Sequence, residues 1–190
     1  MKRILAIALL LFVGTALADS SYPSASIYQL DAKLTNQAGV QHGLDVYEGH
    51  PVLVTMFYGS CAHTCPLLIE TVRAVEKAAP ESKNLRVLMI SIDPERDTQA
   101  ALAKIAKERR IDTSRWTLAR ADVQTVRKIA AVLNIQYKQS PDGEINHSSV
   151  ISVLTPEGEI AQQSSTLGKA DEELVNALKK IPASAHYSAE

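Results

Sequence analysis

Two short apolar runs, each followed at once by a helical pattern, constrain the fold of this chain more than any other feature. Residues 52–58 read VLVTMFY between Pro51 and Gly59, and residues 85–92 are again nearly all apolar. Runs this short and this uniformly apolar are typical of strands that are buried on both faces of a sheet. The sequence therefore predicts two central strands in a sheet that is covered on both sides.

Helices and further strands alternate with these runs. Apolar positions recur at helical spacing over residues 66–79, 98–110, 122–133 and 174–181. Asp97 or Thr98 is suited to cap the second helix and Asp122 the third. We predict a third strand at residues 116–119 and hairpins over residues 27–40 and 149–162. This order predicts an α/β fold with a central mixed β-sheet flanked by helices and an N-terminal β-hairpin.

The N-terminal segment is typical of a signal peptide. Lys2 and Arg3 precede ten apolar residues at 4–13, and residues 16–18 are Ala-Leu-Ala, a small-x-small cleavage site. The alternative is an uncleaved anchor, but a membrane-spanning helix needs about 20 apolar residues. We expect cleavage after Ala18 and export to the periplasm.

The remaining chain is predicted to form one domain. We expect a polar lead at residues 19–26, the domain at 27–182 and a flexible tail at 183–190. Twenty basic against 21 acidic side chains give a formal charge of -1, so no global positive field attracts nucleic acid. We expect a monomer that does not bind nucleic acid.

The two cysteines lie where sites of α/β sheets are built. Cys61 and Cys65 follow the first apolar run and precede a helix, and ligands bind at such carboxyl ends of strands. Pro66 suits the first helical position, which places Cys65 at or beside the helix N-terminus. The helix dipole favours a thiolate there. The pair is thus poised for thiol or metal chemistry.

A purely structural disulfide is the alternative for this pair. A bond between Cys61 and Cys65 would close only a short loop, and short loops constrain the unfolded chain little. A disulfide here is therefore better explained as redox-active or exchanged with metal. Two thiolates are soft donors that select Cu(I) or zinc, and a third donor is then needed.

The five histidines are the candidates for that third donor. His63 lies between the cysteines, although a residue in the middle of such a segment can point outward. His147 precedes the late hairpin, where the sequence alone favours a loop histidine with a core or hydrogen-bonding role. The other three, in turn-like or terminal sequence, are expected at the surface: His42, His50 and His186.

Taken together, the motifs resemble the Sco/SenC family of copper chaperones. The matching segments are residues 61–66 (CAHTCP), residues 91–98 (SIDPERDT) and residues 147–148 (HS), each in the expected order. The resemblance extends over about residues 27–181. Two departures are Ala62, where many members carry Pro, and His63, which the family does not require.

The resemblance implies a thioredoxin-like fold and a copper site. It implies that Cys61, Cys65 and His147 bind one copper, as Cu(I) or Cu(II). It also implies a role in building the binuclear copper centre of cytochrome c oxidase at a membrane surface. The implied partners are a copper-accepting oxidase subunit and other thiol-redox or copper carrier proteins. Many members have an N-terminal membrane helix, from which the predicted cleaved signal departs.

The acidic motif has a structural and a functional interpretation. Pro94 fixes a turn, and Arg96 is expected to pair with a carboxylate, so loop structure explains Asp93 and Arg96. A supporting contact to the metal ligands is the other possibility for Asp93, Arg96 and His63.

Three functions fit these motifs. The first is a metallochaperone that transfers copper by ligand exchange without turnover, which we expect rather than an enzyme. The second is a thiol-disulfide oxidoreductase that uses the Cys61/Cys65 pair, and the third is a copper-dependent redox sensor. His147 distinguishes the first two, because thiol exchange does not require a distant imidazole.

Overall fold

Seven strands form one mixed sheet at the centre of the protein. The computed structural model describes residues 22–60, 64–141 and 143–182. In chain order the strands are β1 (Leu34–Asn36), β2 (Gln41–His42), β3 (Val52–Phe57), β4 (Arg86–Ser91), β5 (Trp116–Arg120), β6 (Tyr137–Gln139), β7 (Ile145–His147), β8 (Ile151–Leu154) and β9 (Ile160–Ser164). The order across the main sheet is β2-β1-β5-β4-β3-β8-β9, and β6 and β7 pair separately.

Four α-helices cover this sheet within the part of the chain that is described. They are α1 (Thr64–Ala78), α2 (Gln99–Glu108), α3 (Val123–Val132) and α4 (Glu172–Lys180). The Asp122 carboxylate accepts from two amides of the first turn of α3, which confirms the predicted cap. Thr98, and not Asp97, caps α2 by accepting from the amide of Ala101.

The central strands bury side chains on both faces, as predicted. All six residues of β3 are buried. Leu53 and Phe57 pack with α1, α2 and α4, whereas Val54 and Met56 lie in the cluster that includes α3. The strand has period-2 geometry, so successive side chains supply the two cores that enclose the sheet.

Parallel pairing places three strand ends at one edge of the sheet. β3 pairs parallel with β4, and β4 pairs parallel with β5, while β8 runs antiparallel to β3. The segments that follow β3, β4 and β5 therefore meet at the same edge, where sites of open α/β sheets are formed. The predicted mixed sheet flanked by helices is confirmed.

Two local predictions were wrong in their details. The N-terminal hairpin forms from β1 and β2, but its first strand begins only at Leu34, because residues Ile27–Gln29 form a 3-10 helix capped by Ser26. Pro66 is the third residue of α1 and not the first. It is tolerated there because amides of the first turn have no partner within the helix.

The position of His147 also differs from the loop that its sequence context suggested. It is the last residue of β7 and pairs with Tyr137 of β6. The β6–β7 hairpin (residues 137–147) was not predicted, because Ile145 is the one buried apolar side chain in its two strands and a single such residue gives no alternating pattern.

No helix within the three described ranges is long and apolar enough to cross a bilayer. The predicted signal peptide at residues 1–18 and the tail at 183–190 lie outside those ranges.

Candidate metal centre

Tyr58, directly after β3, contacts two of the predicted metal ligands. Its backbone carbonyl accepts a hydrogen bond from Cys65 Sγ at 3.2 Å. Its ring packs edge-on against the His147 ring, with centroids 5.7 Å apart and planes at 78°. Its hydroxyl donates to the carboxylate of Glu144 at 3.1 Å. Cys65 and His147 are 82 positions apart in the sequence, and both contact Tyr58.

Cys65 is the second residue of α1 and is only 6% exposed. Unpaired amides and the helix dipole favour negative charge in this first turn. The Tyr58 carbonyl has the opposite effect and favours the thiol, because it accepts a hydrogen bond from the S–H group and a thiolate has no hydrogen to donate. Loss of that proton therefore releases the sulfur from Tyr58 and makes it available as a soft donor.

The geometry around His147 leaves one ring nitrogen available as a ligand. Nδ1 lies 3.1 Å from the Ser148 carbonyl oxygen, which can only accept, so the proton is on Nδ1 and the lone pair on Nε2. Burial lowers the pKa of His147, and the bond to Ser148 offsets part of that effect. The neutral imidazole, the form that binds metals, is thereby favoured near neutral pH.

The donor chemistry of the two predicted ligands within the described ranges, Cys65 and His147, fits copper. Within them, no group of three His, Cys, Asp or Glu side chains is arranged to hold a metal ion. Cys61 and His63 lie outside the described residues. Cys65 supplies a sulfur and His147 an imidazole, and this soft-plus-borderline pair is the type that copper prefers.

Asp97 connects the exits of β3 and β4. Both of its carboxylate oxygens accept from the amide of Gly59, at 2.9 and 3.1 Å, and Ser91 Oγ donates to the same carboxylate at 2.5 Å. Burial raises the pKa of Asp97, while the bonds from Ser91 and Gly59 act to lower it. Asp97 thus holds the backbone two residues before Cys61 instead of capping α2.

Arg96 connects the same segment to the β6–β7 hairpin. Its Nε pairs with the carboxylate of Asp93, so the expected ion pair is present, and its Nη2 donates to the Gly143 carbonyl at 2.7 Å. Arg120 of β5 donates to the Pro94 carbonyl at 2.6 Å, which fixes the segment to the sheet.

Sequence reasoning missed Tyr58 and the true role of Asp97. Tyr58 could have been recognised as the one residue with a hydroxyl-bearing ring at the end of the apolar run 52–58. A buried tyrosine hydroxyl needs a hydrogen-bond partner, so its position indicated a contact with another segment. For Asp97, the contact to Gly59 spans 38 positions and has no local pattern.

We predict that Gly59→Ala destabilises the protein by about 1–3 kcal/mol, the usual cost of overpacking. A Cβ at Gly59 would overlap the Asp97 carboxylate and approach Ile105 Cδ1 to 2.9 Å. Urea unfolding measures the effect, with Ser60→Ala at the neighbouring exposed position as the control. Equal midpoints for the two variants would contradict the close approach.

Comparison with known proteins identifies the family of this chain. The SCO1/SenC family model matches residues 22–183. The bovine (Bos taurus) "Protein SCO2 homolog, mitochondrial" is 27% identical over 143 residues, covering 70% of this chain and 52% of the relative. The chain thus spans about half the length of this curated relative.

Solved structures share the fold. ScoI from Bradyrhizobium japonicum, with copper bound, aligns with a TM-score of 0.66 at 23% identity and covers 80% of this chain and 97% of that one. BsSco, from the Sco family of cytochrome c oxidase assembly proteins, aligns with a TM-score of 0.64 at 19% identity over 77% and 88%. These neighbours have the thioredoxin-like fold that was predicted. Because the matched range of the family model includes all of the described residues, the chain belongs to the SCO1/SenC family.

Proposed function

We propose that this protein is a periplasmic metallochaperone that holds one copper with Cys61, Cys65 and His147. It delivers the copper to the binuclear copper centre of cytochrome c oxidase, or prepares the thiols of that centre. The observation that carries the proposal is the contact of Cys65 and His147 with the same residue, Tyr58, at the sheet edge where the parallel strands end. Copper bound to the Bradyrhizobium relative supports it.

The donor set suits reversible copper binding. Thiolates of Cys61 and Cys65 favour Cu(I), and the imidazole of His147 also tolerates Cu(II). Binding requires loss of the Cys65 proton and of its bond to the Tyr58 carbonyl, and release restores both. In transfer, ligands of the acceptor replace these donors one at a time, so Cu(I) moves without transfer of an electron.

Thiol-disulfide exchange is the second candidate function. The position of Cys65 in the first turn of α1 favours it, because helix starts activate thiolates. One cysteine attacks a target disulfide, and the other resolves the mixed disulfide. The target gains two electrons and is reduced to two thiols, while Cys61 and Cys65 become a disulfide.

A transfer assay distinguishes the two functions. In one arm, protein loaded with Cu(I) is mixed with the reduced, isolated copper-binding domain of a cytochrome c oxidase subunit. In the other arm, reduced copper-free protein is mixed with the disulfide form of the same domain. After chromatography, copper and free thiols are measured in each fraction. We expect copper to move to the reduced acceptor. Reduction of the disulfide form by copper-free protein, with no copper transfer in the other arm, would instead establish the oxidoreductase.

Export is tested by mass. We predict that exported protein begins at Asp19, because residues 4–13 are too short to span a bilayer and residues 16–18 form a cleavage site. Intact-mass analysis of the periplasmic and membrane fractions measures this directly. A membrane-bound species that retains residues 1–18 would contradict it.

A further inference from the structure

The segment between β4 and α2 contacts two other parts of the protein. Neither contact is needed to connect the strand to the helix. On one side Asp97 reaches the β3 exit, defined here as Tyr58 and Gly59. On the other side Arg96 reaches Gly143 in the β6–β7 hairpin. The first region carries Tyr58, which contacts both Cys65 and His147, and the second carries His147 itself.

The Asp97 contact is specific and buried. Asp97 is 3% exposed, and its two oxygens accept from the Gly59 amide and from Ser91 Oγ. Thr98 already caps α2, so the helix start does not need this carboxylate. Its function in the fold is to hold the β3 exit against β4, beside the carbonyl that contacts Cys65.

The Arg96 contact restrains an element that is weak by itself. β6 and β7 have three residues each, and an isolated two-stranded hairpin is marginally stable. Asp93, 7% exposed, pairs with Nε of the guanidinium and orients it, and Nη2 donates to the Gly143 carbonyl at 2.7 Å. The bond joins the turn of the hairpin to the loop after β4.

We propose that Arg96 and Asp97 are positioning residues that fix the His147 hairpin relative to the β3 exit. They act through Gly143 and Gly59 and do not touch the metal. We call these two contacts together the bridge. The inference rests on the proposed copper site, because the bridge sets the distance between Cys65 and His147, two of the proposed copper ligands. Metal sites depend on such supporting contacts, whose loss typically costs about 10–100-fold in affinity.

Arg96→Ala tests the bridge, and the chain offers a matched control. Arg73 also pairs with an acid three residues before it, Glu70, and donates to a distant backbone carbonyl, that of Arg109, at 2.5 Å. Arg73→Ala therefore removes the same kind of contact between α1 and the end of α2. We measure amide hydrogen exchange of residues 137–147 in copper-free protein, and Cu(II) affinity and the visible spectrum in loaded protein.

We expect Arg96→Ala to speed hairpin exchange severalfold, weaken Cu(II) binding by about tenfold and shift the spectrum, whereas Arg73→Ala changes none of these. Arg96→Lys should restore affinity only in part, because an ammonium lacks the planar fork that serves both partners. Asp97→Asn should shift the spectrum without faster hairpin exchange.

Each contrary result overturns a stated part of the inference. If the hairpin exchanges equally fast in Arg96→Ala and Arg73→Ala, Arg96 does not restrain the hairpin. If it exchanges faster in Arg96→Ala but copper binding is unchanged, the Arg96 contact only stabilises the fold. Full recovery by Arg96→Lys shows that charge and not geometry matters. If the wild type binds no copper, the proposed function fails, while the exchange data still decide whether Arg96 restrains the hairpin.

Discussion

Replacing either Cys61 or Cys65 by alanine will abolish tight Cu(I) binding by the reduced protein. A single thiolate lacks its chelating partner, so the loss should exceed the roughly 10–100-fold that removal of an outer contact costs. Copper per chain is measured in competition with a chelator of known affinity. Ser60→Ala, an exposed change beside the pair, should retain one copper.

The double variant gives the decisive comparison for the thiols. If Cys61→Ala with Cys65→Ala retains one copper per chain at the wild-type affinity, the sulfur donors are wrong. A separate test uses metal-free protein in air, which should form an intramolecular Cys61–Cys65 disulfide. Two free thiols after prolonged oxidation would count against their close approach.

His147→Ala will separate copper binding from thiol chemistry. The imidazole is a metal donor and not the attacking group, so Cu(II) binding should be lost or distorted while thiol-disulfide exchange continues near its wild-type rate. Exchange is measured with a small disulfide substrate, and Cu(II) binding by its visible spectrum. The two measurements should therefore diverge.

His42→Ala is the matched control for this change. His42 is half-buried, its Nδ1 lies 2.8 Å from the carbonyl of the next residue, and its ring packs edge-on against Tyr47 at 5.8 Å. This environment reproduces that of His147 on a different strand, so any general cost of removing such a ring appears in both variants. His63→Ala should weaken Cu(II) binding less than His147→Ala does.

The opposite pattern would change the functional conclusion. If His147→Ala slows exchange strongly and leaves copper binding intact, the imidazole acts on a thiol as a base or orienting group. The oxidoreductase would then be the better account. If His63→Ala has the larger effect on Cu(II), the third donor is His63 and not His147.

Local patterns predicted the frame of the fold and the position of Cys65 at the start of a helix. The uniformly apolar runs correspond to β3 and β4, and Asp122 caps α3 as its side chain and position indicated. These features succeed because burial on both faces and capping depend on neighbouring residues in the chain. The position of Cys65 in the first turn of α1 was predictable for the same reason, because the neighbouring Pro66 indicates a helix start.

The contacts that assemble the site were not predictable in the same way. The β6–β7 hairpin is short and largely polar, so neither helical nor strand periodicity marks it. Tyr58 meets His147 across 89 positions, and Arg96 meets Gly143 across 47. Such pairings depend on the arrangement of the strands, which no window of sequence contains.

X-ray absorption at the copper edge tests the central claim most directly. Wild-type protein loaded with one equivalent of Cu(I) should show two sulfur ligands, from Cys61 and Cys65, and scattering from one imidazole, which disappears in His147→Ala. A copper environment without sulfur, or imidazole scattering that persists in His147→Ala, would contradict the proposed ligand set.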